Sequence, residues 1–248
     1  MPTALPENNY NQMALHELRA WQHAMQQPPS LLNKLARKAQ YKINSYIPDK
    51  IHNAITAAIK QMTQATLFGA GALTKPPADA QNLQLQEALV QSQIEFYKRA
   101  AAAEGGVTGA GGILLGLADF PLLFGFKVKL LFEVAALYGY DMNDYRERLY
   151  LLHIFQLAFS SHEHRRDVYL QMTDWETRKQ HLPEDINEFN WRSFQQEYRD
   201  YIDLAKMAQL IPIIGAPVGA IVNYKLLTKL GQTAMNAYRM RWHEVHKL

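Results

Sequence analysis

The sequence predicts an all-α protein, a multi-helix bundle carrying two apolar helical hairpins that contain glycine and proline. Three observations predict this class. No segment shows the apolar/polar alternation of a half-buried strand, and no Asn-Gly hairpin signal occurs. Apolar residues recur instead three and four apart, the period of a helix face. Residues 105–141, GGVTGAGGILLGLADFPLLFGFKVKLLFEVAALYGYD, hold more than half of the chain's 13 glycines. There Gly105 and Gly109, then Gly112 and Gly116, stand four apart, a spacing that clears one helix face and lets another backbone approach. Neither a G-x-G-x-x-G nor a G-x-x-x-x-G-K-[ST] phosphate loop is present.

Taken in order, residues 7–27 form a first helix with Met13, Ala14, Leu18, Trp21 and Met25 at helical spacing, closed by Pro28 and Pro29. Ser30 caps a second helix. Its stripe runs through Leu31, Leu35, Ala39, Ile43 and Tyr46, and Lys34, Arg37, Lys38 and Lys42 lie off it. This basic amphipathic helix suits an anionic membrane surface, at about 1 kcal/mol per basic side chain. The plainer alternative is a core helix with a solvated basic face. Pro48 opens a third helix to about residue 74, and Lys75, Pro76 and Pro77 link it to a long helix capped by Asp79. That helix buries Leu83, Val90, Ile94, Tyr97 and Ala101 and carries Glu87, Glu95, Lys98 and Arg99 as charges. These features divide the chain into a basic amphipathic region, residues 1–78, and a larger helical domain, residues 79–248.

Asp119 followed by Pro121 breaks the apolar stretch, and a fresh helix spans residues 120–138. About ten apolar residues favour insertion of this region into a bilayer by about 5 kcal/mol, and Asp119 opposes it by about 3 kcal/mol before glycine and proline are counted. A shallow or buried hairpin is therefore expected rather than a membrane span. Gly139 ends the helix and Asp141 caps the next, although Asp144 with Glu147 also has capping-box spacing. The following run, RERLYLLHIFQLAF, is apolar enough to be central. Residues 162–203 are charged and aromatic and read as two solvated helices about a turn near 181–185. Residues 207–224, MAQLIPIIGAPVGAIVNY, have no charge. Pro212 and Pro217, with Gly215 and Gly219 four apart, make them a second broken hairpin. Pro121, Lys129, Leu130 and Leu131 recur 96 positions later as Pro217, Lys225, Leu226 and Leu227, a weak internal repeat.

The elements GGVTGAGG, LADFP, FKVKLLFEVAALYGYD, RERLYLLHIFQLAF and LIPIIGAPVGAIVNYKLL resemble the EcsC family over roughly residues 85–245. The family takes its name from a protein encoded beside the Ecs ABC transporter of Gram-positive bacteria. The resemblance implies an all-helical bacterial protein tied to the membrane or to an exporter, and it implies no reaction. The matching motif positions are Asp119, Pro121, Glu133, Tyr138, Gly139 and Asp141.

Charge distribution points to a polyanionic partner. Residues 18–78 carry eight Lys or Arg against one acid and residues 204–248 six against one, whereas residues 162–203 carry ten acids and six bases. Nucleic acid ranks behind a membrane surface or membrane protein, because the basic region lacks interleaved aromatics and any RRM, KH or zinc-finger signature. The absence of cysteine excludes disulfides, thiolate metal sites and cysteine nucleophiles. With no secretory pattern at its start, the chain reads as cytoplasmic, at the inner face of the membrane.

A polar cluster of Asp119, Glu133, Tyr138 and Asp141 is the candidate ligand site, with buried carboxylates able to meet a cation, a proton or a lipid-like head group. The plainer reading makes Glu133 a partner of Lys129 one turn earlier, and Asp119 a helix cap. No catalytic residue, cofactor or metal is expected. Glu-x-x-His, HExxH and G-x-S-x-G are all missing, and the pairs His162/His164 and His243/His246 read as exposed. The expected function is that of a non-enzymatic, membrane-associated accessory protein. The alternative is a soluble protein that holds or acts on a lipid-like ligand between the hairpins.

Overall fold

A computed structural model describes residues 7–28, 49–68, 77–78, 82–110, 120–161, 164–190, 194 and 216–246. Eight helices lie among them: α1 (Glu7–Gln26), α2 (Asp49–Phe68), α3 (Leu83–Ala110), α4 (Phe120–Leu137), α5 (Tyr145–Phe159), α6 (Arg165–Met172), the single turn α7 (Trp175–Arg178) and α8 (Ala216–His246). Two 3₁₀ turns, Lys179–His181 and Ile186–Glu188, follow α7. The described residues contain no β-strand, and the protein is an all-α bundle.

The longest contact joins α3 to α8. Glu87 meets Arg239, Ile94 meets Gly231 and Lys98 meets Tyr224, so the two helices run antiparallel. Each expected core position of α3, Leu83, Val90, Ile94, Tyr97 and Ala101, is buried. An ideal Cβ on Gly231 would stand 2.7 Å from Ile94 Cγ1, so this glycine sets how closely the two backbones pack. Gly105 and Gly109 continue α3 as helix, and Gly219 lies in the first turn of α8. Gly112, Gly116 and Gly215 fall outside the described residues.

Two helices pass through the centre. Residues 147–152 of α5 and 237–243 of α8 are buried on every side, a pattern found where a helix is surrounded. In α4, residues 130–136 are buried as well. The Pro-Lys-Leu echo has a structural counterpart: α4 and α8 each start one residue before their proline. Lys129 and Lys225 are exposed, and Leu131 and Leu227 are buried.

The side chain of Asn82 meets the first turn of α3, accepting from Leu85 N at 3.1 Å, and Asp79 lies outside the described residues. Two caps further along differ from expectation. Gly139 ends α4 at φ 86°, with Gly139 N donating to Ala136 O and Tyr140 N to Ala135 O, each at 3.0 Å. Asp141 caps no helix; it closes an exposed turn by accepting from Asn143 N at 2.9 Å. Asp144 caps α5 through Arg146 N, whereas Glu147 turns into the core instead of closing a capping box. After α5 the described residues 164–190 form one two-turn helix and several short turns and bury Trp175, while most of the second helix expected in this segment lies outside the described residues.

Candidate functional site

The polar groups of the core form two networks anchored by Arg239 and Arg241 of α8. Burying a guanidinium is tolerable only with its hydrogen bonds filled, and both arginines meet that condition. Arg239 donates to both carboxylate oxygens of Glu87, Nε to Oε1 at 2.6 Å and Nη2 to Oε2 at 2.5 Å, and through Nη1 to Glu17 Oε2 at 2.9 Å. Glu87 also accepts from Tyr10 Oη at 2.6 Å and Tyr138 Oη at 3.2 Å. Glu87 is fully buried and Arg239 nearly so. One carboxylate thus ties together α1, α3, α8 and the turn after α4. Burial and the neighbouring Glu87 push the Tyr10 hydroxyl well above the ordinary tyrosine range.

The second network lies two residues further along α8. Arg241 donates to Glu147 of α5, Nη1 to Oε2 at 2.5 Å and Nη2 to Oε1 at 2.9 Å, and its Nε reaches Glu176 Oε1 at 2.9 Å. Lys179 bridges the same acids, at 2.9 Å from Glu147 and 2.6 Å from Glu176. The guanidinium sits 3.8 Å over the ring of Tyr140 and 4.6 Å from that of Tyr150, a cation–π contact in a desolvated setting. Tyr238 stacks on Tyr138 and packs at a tilt against Tyr140. Burial works against ionisation of Glu176, but Arg241 and Lys179 outweigh it and hold its carboxyl below the usual range.

The sequence-predicted cluster does not assemble as one site. Glu133 is buried and accepts from Tyr97 Oη at 3.0 Å. Lys129 is exposed on α4 and forms no ion pair with Glu133, so the surface pair expected from their spacing is absent. Tyr138 joins the Glu87 network, Asp141 is exposed, and Asp119 lies outside the described residues. The basic residues Lys34, Arg37, Lys38 and Lys42 also lie outside them. His243 is buried, not exposed, and neither ring nitrogen has a hydrogen-bond partner among the described residues. Burial and Arg239 lower its pKa, which keeps the ring neutral. No group of three or more His, Asp or Glu among the described residues could hold a metal ion.

A cavity of about 430 Å³ opens beside the second network, lined by α5, α6, α7 and the turns that follow. His153 and Gln156 of α5 line one side, with His153 Nδ1 3.3 Å from Gln156 Oε1. The imidazole packs edge-on against Trp175 and Phe194, each at 5.7 Å between ring centres. Burial lowers its pKa to about 4.

The sequence reading passed over Glu87 because it is charged, although 83, 87, 90, 94, 97 and 101 keep the four-three spacing of the buried stripe. Arg239 and Arg241 also carried a signal, alternating with Tyr238, Met240 and Trp242 in an otherwise apolar run.

The fold and these networks define a class of all-α bundle proteins knit by buried guanidinium–carboxylate pairs. The chain belongs to the EcsC protein family, whose model matches residues 12–242. It is similar to the protein EcsC of Bacillus subtilis (strain 168), with 43% identity over 232 residues that cover 93% of this chain and 95% of the relative. A second relative, the uncharacterized protein YdbA of the same organism, is 24% identical over 261 residues, covering 97% of this chain and 95% of the relative. No solved structure matches the chain.

Proposed function

We propose that this protein is a non-enzymatic helical protein that binds peripherally to the anionic inner face of the cell membrane, where it acts as an accessory to a membrane complex. The observation that carries this reading is a row of large apolar side chains on the outer face of α3. Leu85, Leu89 and Phe96 are 63%, 47% and 62% exposed. At about 100° per residue they fall within about 40° of one another. Ile221 and Tyr224 are exposed near the start of α8, where Lys98 of α3 lies over the Tyr224 ring at 4.4 Å. Grouped apolar exposure of this kind marks a contact surface.

No described helix is long and apolar enough to cross a membrane, so the contact proposed is with the bilayer surface. Three half-exposed side chains moved into the interface contribute about 1 kcal/mol each. Lys34, Arg37, Lys38 and Lys42 add about 1 kcal/mol apiece near anionic lipid. Either contribution alone gives weak, reversible association, and together they reach about 7 kcal/mol before the entropic cost of binding. Vesicle sedimentation tests the row: replacing Leu85, Leu89 and Phe96 together by Gln lowers the bound fraction on anionic vesicles severalfold while the far-ultraviolet spectrum is unchanged. Equal binding by the triple variant would remove α3 from the contact.

A further inference from the structure

The cavity beside α5 has a chemistry that neither buried network uses. Its walls are Leu149, Trp175, Leu182, Phe189 and Phe194, and its polar members are His153, Gln156, Gln171, Arg178 and His181. No acidic residue is among the described residues that line it. The two acids of the neighbouring network, Glu176 and Glu147, are committed to Arg241 and Lys179. Arg178 makes no ion pair among the described residues and is exposed. Trp175 is buried, and its indole N–H has no hydrogen-bond partner among the described residues. The volume lies within the range of small-molecule sites, roughly 300–1,000 Å³, and a mostly apolar lining with a few polar groups is their usual makeup.

We infer that this cavity is a binding site for a small organic carboxylate, whose apolar body lies against Trp175, Phe189 and Phe194 and whose anionic head pairs with Arg178. His153 adds no second charge at neutral pH, because burial keeps its imidazole neutral. It is instead a flat wall, packed edge-on against Trp175 and Phe194. The site is built from other elements than the α3 row and does not depend on membrane association.

The test uses the full chain with hexanoate as probe and hexanamide as its uncharged counterpart. Saturation-transfer NMR reads binding, and the indole N–H resonance of Trp175, assigned with Trp175→Phe, reads the location. Hexanoate is expected to shift that resonance and to bind more tightly than hexanamide. Arg178→Gln, an exposed substitution, should weaken hexanoate about ten-fold or more, as loss of a charge-assisted contact does, and leave hexanamide within about two-fold. Arg178→Glu should transfer the preference to hexylammonium. Three results would each overturn the assignment: no hexanoate binding, binding without a Trp175 shift, or equal affinity of Arg178→Gln and wild type for the carboxylate.

Discussion

Replacing Arg239 by Met leaves Glu87 fully buried with two tyrosine donors and no cation. The lost partners are the paired contacts at 2.5 and 2.6 Å, and the Glu17 contact at 2.9 Å contributes little because Glu17 is half exposed. Removing one member of a buried pair costs about 3–5 kcal/mol, most of it from the stranded charge. In a chain of this size that corresponds to a fall in Tm of about 10 °C. Glu87→Met strands Arg239 in the same way and should cost a similar amount. Glu87→Met with Arg239→Met replaces the pair by side chains of comparable length, so the double variant should be more stable than the sum of the single losses by about 2–3 kcal/mol. Urea unfolding followed by circular dichroism at pH 7 gives all four corners of the cycle. Single losses below about 1 kcal/mol, or additive losses in the double variant, would refute the view that this network holds α1, α3 and α8 together.

Three further outcomes follow from local geometry. Gly231→Ala drives a methyl into Ile94 on a tightly packed face and should cost about 1–3 kcal/mol, with Ile94→Val recovering part of it in the same unfolding assay. Gly139→Ala places a side chain at φ 86° and should cost about 1–2 kcal/mol by thermal denaturation. The His153 imidazole titrates near 6.5 when unfolded and about 4 when folded, so between these values the unfolded chain binds the extra proton and stability is lost as the pH is lowered. From pH 7 to pH 5 this one group should remove about 2 kcal/mol, and His153→Gln should flatten the pH dependence of urea unfolding by that amount.

Much of the bundle was legible because periodicity reports burial directly. The α3 stripe, the helix start at Phe120, the stop at Gly139 and the central place of α5 all followed from spacing and from the conformational limits of glycine and proline. Legibility ended where a charged residue occupied a core position. Glu87 and Glu147 look solvated by composition, and only their three-dimensional pairing with Arg239 and Arg241, 152 and 94 residues away, makes their burial tolerable. Local signals were also degenerate: Asp141 and Asp144 are both good caps, and the choice between them depends on where the helix docks. The cavity was hidden for a different reason. Leu149, Gln171, Trp175 and Phe194 come from separate elements, and no spacing rule joins them. The exposed row on α3 was overlooked because the same helix presents a well-formed buried stripe, which accounted for its apolar content.

Flotation of the full chain with vesicles tests peripheral membrane association most directly. Anionic and neutral vesicles would be compared at low and high salt, for wild type and for the variant with Lys34, Arg37, Lys38 and Lys42 all changed to Gln. Binding to anionic vesicles that is strong at low salt, reduced severalfold by salt or by the four substitutions, and weak on neutral vesicles is the predicted result. A chain that stays at the bottom of every gradient would contradict it.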